Sequence, residues 1–466
     1  MERQLFHILN AETVTVTLHF FLFFRIDAAF RMINNISEDS EVRKMKARQR
    51  YRRFVLGLLF LSAAGLGYCS YYLLCSQIPD RMQVSEEGEL PVLFHNGFDT
   101  LISADFDSLE AARETTLLDT SGSIGAEAAE VSQSYEVSYS LFGKIPLKTV
   151  QVDVVPRKEV YAGGKPIGIY LQTDGVLVVE TGKVTAEDGN ECCPSEHIIK
   201  SGDYIQAVNG HTVSTKEELI SCISQCSGND IIFDVDRDGE SVSLKIHPVL
   251  DKDGEYKAGI WVRNDTQGIG TLTYVDENGS FGALGHGISD IDTGKLLDIR
   301  GGDLYNADVV SVVKGRQGTP GEISGIIHYS EGYKIGEIRE NRKNGIYGTV
   351  VGFPQMAENM TLYETAYKQE VTPGEASILC SADGTCREYT VEICEIRLNG
   401  NDVNKGMILK VTDPDLLSLT GGIVQGMSGS PIIQDGKLVG AVTHVLVNDP
   451  TRGYGIFIEN MLDAVG

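Results

Sequence analysis

The sequence predicts a mainly β protein carried behind one membrane-spanning helix, and two observations in the 466 residues carry that reading. The first is the uncharged run 54–77, FVLGLLFLSAAGLGYCSYYLLCSQ. At ~1.5 Å per helical residue it reaches ~36 Å, enough to cross a hydrocarbon layer ~30 Å thick. The second lies in the C-terminal half, where short β-prone runs recur between Gly and Asn turns at 260–263, 271–275, 309–313, 346–352, 391–396, 407–411 and 438–447. That spacing, with little helical periodicity, predicts a closed, two-lobed β-barrel. With 42% hydrophobic residues the chain can bury real cores and is not a disordered polymer.

Charge supports the helix as an anchor. Forty Lys and Arg stand against sixty-five Asp and Glu, a net charge of −25, yet Arg43, Lys44, Lys46, Arg48, Arg50, Arg52 and Arg53 crowd just before the apolar run. By the positive-inside rule residues 1–53 stay cytoplasmic and the acidic body from 78 onward is sent across the membrane. So acidic a body offers no basic face for nucleic acid. Ser62-Ala63-Ala64 has the small residues of a signal-peptide cleavage site, but apolar residues continue past it, which favours an uncleaved anchor. The earlier apolar stretch 14–24 is too short to span and is interrupted by His19. Met45, followed by basic residues and the apolar run, is expected to be the true start of translation.

Of the nine cysteines, Cys69 and Cys75 fall in the anchor and seven lie beyond it. An odd number with Cys192 and Cys193 adjacent makes no disulfide framework, and no His or Cys pair completes a zinc spacing around Cys222 and Cys226. No metal or cofactor is expected.

Taken in order, residues 78–133 are acidic and weakly periodic, with helix-like material at 109–117 and small residues at 122–129. They read as a stalk or pro-segment. Alternation at 135–155 on both sides of Phe142-Gly143-Lys144 predicts a β-hairpin. Residues 157–249 contain GGKPIGIYL, the turn SGDYIQAVNG and a helical 216–226. These parts resemble a PDZ domain, which implies a groove where an extended peptide adds to a sheet edge. The last domain is expected to run over 252–466.

Chemistry points to GGIVQGMSGSPII at 421–433. A serine between glycines, after an apolar run, suits a tight turn that presents a hydroxyl beside converging N–H groups, or equally a Gly-rich hairpin whose serine bonds only to backbone. A nucleophilic serine needs a histidine base and a group to orient it. His286, between Gly285 and Gly287, is favoured as base over His444, which lies within a strand-like run. For the acid, Asp413, Asp415, Asp290, Asp292 and Asp303 all stand at suitable places, and spacing does not choose among them.

The motifs FGALGHG, KGRQGTPGE, NGIYG and GGIVQGMSGSPIIQDGKLVGAVTHVLVNDP closely resemble the stage IV sporulation protein B family, the PDZ-containing signalling serine peptidases of endospore-forming Firmicutes. The likeness runs from the anchor to the end. It implies a chymotrypsin-like peptidase domain, Ser428 as nucleophile, His286 as base, Asp413 as acid, and the N–H groups of Gly426 and Ser428 as oxyanion hole. It also implies a place between forespore and mother-cell membranes and self-cleavage. The substrate would be the extracytoplasmic part of a membrane regulatory protein that controls pro-sigma-K processing, and a BofC-like inhibitor would restrain the enzyme. Two other readings are a non-catalytic PDZ scaffold and an envelope-stress PDZ protease.

Overall fold

The computed structural model describes residues 41–85, 102–105 and 134–463. Residues 1–40 and most of 86–133 lie outside them, and with them the helix-like and small-residue stretches expected there. The chain divides into two units at Leu73/Leu74. The helix Glu41–Gln77, all but its last four residues in the first unit, is long and apolar enough over Arg48–Gln77 to cross a membrane, with none of that window buried in protein.

The second unit opens on a four-stranded sheet. Ser134–Leu141 and Ile145–Val154 pair as the expected hairpin, turned by Phe142 and Gly143, both left-handed at φ 56° and 65°. Consecutive positive φ values are the mark of a type I′ turn, closed here by Lys144 N–H donating to Leu141 C=O at 3.2 Å within the three-residue connection 142–144. Arg81–Val84 runs parallel to the second hairpin strand, and Ile78, Met82, Val137, Val150 and Val152 fill the sheet's core.

Two rings of strands follow. Alternation builds the second one. In Arg387–Ile396 the residues Tyr389, Val391 and Ile393 are buried while Thr390 and Glu392 are exposed, the period-2 pattern of a strand with one face inward. Together with Gly374–Cys380, Met407–Val411, Arg452–Phe457, Lys437–Val445 and Pro431–Gln434 it closes a barrel. Its core holds Ile378, Leu409, Met427, Ile432 and Val442, each worth about 1.5–3 kcal/mol of burial. The first ring passes through Pro166–Thr181, Ile299–Val313, Lys334–Arg342, Gly345–Val350, Ser280–Ala283 and Ile260–Val275, whose pairing back to Pro166–Thr181 closes it. The protein is therefore mainly β with two barrel lobes.

The order of parts differs from the expectation at one point. The stretch read as PDZ-like contributes its first strand to the first ring: Ile167 to Thr173 pair with Asn306 to Ile299, and the same strand pairs with Ile260–Val275 over most of its length. The remainder has its own core of Val176, Val178, Ile205, Leu219, Phe233 and Val235, under the helix Lys216–Ser224, which a Thr215/Glu218 capping box starts. Gly182 N–H donates to Gly259 C=O at 2.8 Å, so this unit leaves and re-enters the ring at one place. Domain limits at 157 and 252 cut through the ring, because the strands that close it are separated by the whole inserted unit.

Candidate active site

The loop carrying Ser428 is fixed by its carbonyls. Thr271 N–H donates to Ser428 C=O at 2.9 Å, Thr271 Oγ1 to Gly426 C=O at 2.8 Å, and Thr273 Oγ1 to Gly429 C=O at 2.9 Å. Three carbonyls of the second lobe are thus drawn onto one strand of the first. Among the described residues the N–H groups of Gly426 and Ser428 have no acceptor, the condition of donors left for an oxyanion. Gly426 and Gly429 take φ of 97° and 95°, and a Cβ at Gly429 would collide with Thr271 O. Only glycine fits there.

Ser428 Oγ lies in a cavity of about 470 Å³ together with His286 and His444. Its hydroxyl donates to Thr443 C=O at 2.6 Å, so attack requires the proton to be turned from that carbonyl to a base, as is common before substrate binds. Ser430, by contrast, is fully buried.

His286 follows the strand Ser280–Ala283 through Leu284 and Gly285, both left-handed at φ 70° and 69°. A Cβ on Gly285 would stand 2.8 Å from Ile456 Cγ2, so this turn is pressed against the second lobe. The ring's Nδ1 is 2.9 Å from Gly287 C=O. A carbonyl only accepts, so Nδ1 carries the hydrogen and Nε2 keeps the lone pair. That is the tautomer a general base needs. Burial pushes the His286 pKa down, against a smaller upward pull from the Gly287 bond. His444 tilts at 33° across it with centroids 4.6 Å apart. Its pKa is lowered to about 4, first by burial and then by the neighbouring His286 and Lys405.

Among the described residues none of the candidate carboxylates hydrogen-bonds to the His286 ring. Asp413 is the N-cap of the helix Pro414–Thr420: its oxygens accept from Asp415 N–H at 2.9 Å, Leu416 N–H at 3.0 Å and Thr390 N–H at 3.3 Å. Asp290 accepts from Arg263 and from Thr293 N–H, Asp292 pairs with Arg263 at 2.8 Å, and Asp303 with Lys334 at 2.8 Å. The structure brings together Ser428, His286, His444 and Gly426, and holds Asp413 elsewhere, where two N–H groups of a Pro-started helix and one of the strand Arg387–Ile396 satisfy its charge. The orienting acceptor on His286 is instead the Gly287 carbonyl, a backbone group that no side-chain motif reveals.

Asparagine caps a helix about as well as aspartate, whereas alanine costs about 1 kcal/mol. Asp413→Asn is therefore expected to leave stability and kcat nearly unchanged, and Asp413→Ala to lower stability by about 1 kcal/mol in denaturant unfolding. A loss of ~10³-fold in kcat for the Asn variant at unchanged stability would put the carboxylate in the relay after all.

The family description "SpoIVB peptidase S55" matches residues 254–462. Among curated proteins nothing matches. Solved structures that do match include the PDZ domain of an SdrC-like protein from Listeria monocytogenes, 22% identical with a TM-score of 0.16, covering 19% of this chain and 87% of that one. The Rv3671c protease matches in its inactive form at 14% identity and TM-score 0.24, covering 42% of this chain and 84% of that one. Its active form, from M. tuberculosis, matches at 16% and 0.25, covering 43% and 75%.

Proposed function

We propose that this chain is a serine endopeptidase of the SpoIVB S55 family, a reading supported by the match over residues 254–462, with Ser428 as its nucleophile, His286 as its base, and the N–H groups of Gly426 and Ser428 as its oxyanion hole. The observation that carries the assignment is that Ser428 and an imidazole whose Nδ1–H is held by Gly287 C=O share one cavity, beside two N–H groups with no acceptor among the described residues. In the reaction His286 Nε2 takes the Ser428 proton as Oγ bonds to the peptide carbonyl carbon. The oxygen's charge rests on the two N–H groups, and the proton passes to the leaving amine as the C–N bond breaks. Water then hydrolyses the acyl-enzyme by the same route.

The physiological role follows the resemblance and the apolar helix. The helix tethers the peptidase outside the cytoplasm, in the space between forespore and mother-cell membranes. There it cleaves the extracytoplasmic part of a membrane regulatory protein and so triggers intramembrane processing of pro-sigma-K. It also cuts itself, and a BofC-like inhibitor restrains it. The PDZ-like unit selects an extended segment. Support for this last step is the groove of about 630 Å³ between the helix Lys216–Ser224 and the start of the strand Ile260–Val275, where Trp261 is 66% exposed.

Co-expression with the membrane regulator tests both parts. The intact chain is expected to release the regulator's extracytoplasmic fragment. A variant with 183–258 replaced by a short linker is expected to keep Ser428 reactivity toward a fluorophosphonate while losing most of that cleavage. Loss of reactivity in a folded variant would show that the inserted unit completes the active site.

A further inference from the structure

The cavity that holds Ser428 has a chemical character of its own. Among the described residues no Asp, Glu, Lys or Arg lines it. Its walls include Ile169, Ile269 and Leu284 from the first lobe and Ile423, Val424 and Val445 from the second. In a chain of net charge −25 an uncharged cavity beside the nucleophile is a selective surface. A charged side chain entering it would lose its hydration with no partner to replace it.

One position sets how much room there is. Gly268 lies in the strand Ile260–Val275 opposite Ile169. Residues opposite one another in an antiparallel ladder share a face. A side chain at 268 would therefore project on the same face as Ile169, which lines the cavity and is 2% exposed. A Cβ built on Gly268 meets no atom within 4 Å, whereas one on Gly270, two residues on, would collide with Leu284. The space above Gly268 is open because this residue lacks a side chain, and its φ is not in the left-handed region. Backbone geometry does not demand a glycine there.

We propose that this peptidase cleaves after large uncharged aliphatic or aromatic residues, whose side chain occupies this cavity, and that Gly268 is the residue that admits them. The segment 423–425 immediately precedes Gly426 and lines the cavity. A carbonyl held by the N–H groups of Gly426 and Ser428 therefore has its own residue's side chain beside that apolar wall. The proposal rests on Ser428 being the acylated nucleophile, and its test is arranged so that the two fail separately.

The full chain in detergent is given a mixed peptide library with cleavage sites read by mass spectrometry, and Ser428 occupancy by a fluorophosphonate is measured in parallel. Cleavage is expected after Leu, Met and Phe, and not after Asp, Glu, Lys or Arg. Gly268→Val is expected to lower kcat/KM for Leu and Phe sites by ~10-fold or more and to leave Ala sites within ~threefold, with labelling of Ser428 retained. Should that variant fail to fold, Val447→Asp serves instead. Val447 lines the same cavity and is 48% exposed, and its replacement is expected to raise cleavage after Lys and Arg by ~10-fold. Cleavage after charged residues by the wild type, or a ranking unmoved in the folded variants, overturns the proposal while leaving the nucleophile in place. Absence of labelling in the wild type overturns the nucleophile, and with it the proposal.

Discussion

Ser428→Ala is expected to lower kcat by ~10³-fold or more and to abolish fluorophosphonate labelling, while Ser430→Ala retains most of both. The two serines are separated by one glycine, yet they face different surroundings. Ser428 Oγ opens into the cavity with both histidines, whereas Ser430 is fully buried. The Ser430 carbonyl accepts from Val442 N–H at 2.9 Å, so its backbone is already held against the neighbouring strand. Its hydroxyl has no path to a substrate. The stability costs differ from the catalytic ones. Ser428→Ala removes one hydrogen bond to Thr443 C=O, worth about 1 kcal/mol, so the inactive variant still folds. Equal loss of activity from both substitutions, with both proteins folded, would move the nucleophile away from Ser428.

Much of this site was legible because its constraints are local. Glycines around Ser428 and His286 are demanded by left-handed backbone at Gly426, Gly429 and Gly285, and such turns leave a sequence signal. The strand Met407–Val411 was read with its observed ends, since four of its five side chains are buried apolar residues and the exposed one is Lys410. What escaped was non-local or carried by backbone. The strand Ile260–Val275 reads as two short strands because Asn264, Asp265, Thr266 and Gln267 interrupt its apolar pattern. Its pairing with Pro166–Thr181 holds it together, with register shifts near Trp261 and Arg263. Nothing local announces a partner on the far side of an inserted unit. Asp413 is the opposite case: Asp followed by Pro and then Asp, Leu and Leu is a helix start, and a structural cap was the reading its own neighbours supported.

The second large effect is expected at His286. His286→Ala should lower kcat by ~10³-fold or more, and the double change with Ser428→Ala should be hardly worse than either alone, because base and nucleophile act as one unit. His444→Gln should cost far less. The two rings touch, but it is His286 whose Nδ1–H is held by Gly287 C=O, leaving Nε2 as the acceptor. The pH profile supplies an independent check. Burial disfavours the imidazolium, so the His286 pKa lies below the ordinary 6.5, and the base works only when neutral. Activity should therefore persist to lower pH than for an exposed histidine, with the acid limb of kcat/KM falling below about 6.5. Stability carries the same sign. The unfolded chain binds a proton at His286 before the folded one does, so this histidine's share of stability is present above the ordinary pKa and is lost as pH falls through the depressed one. If His444→Gln is the inactivating change, or if the acid limb lies above the ordinary histidine range, the base is not His286 and Ser428 must take its partner from the other ring.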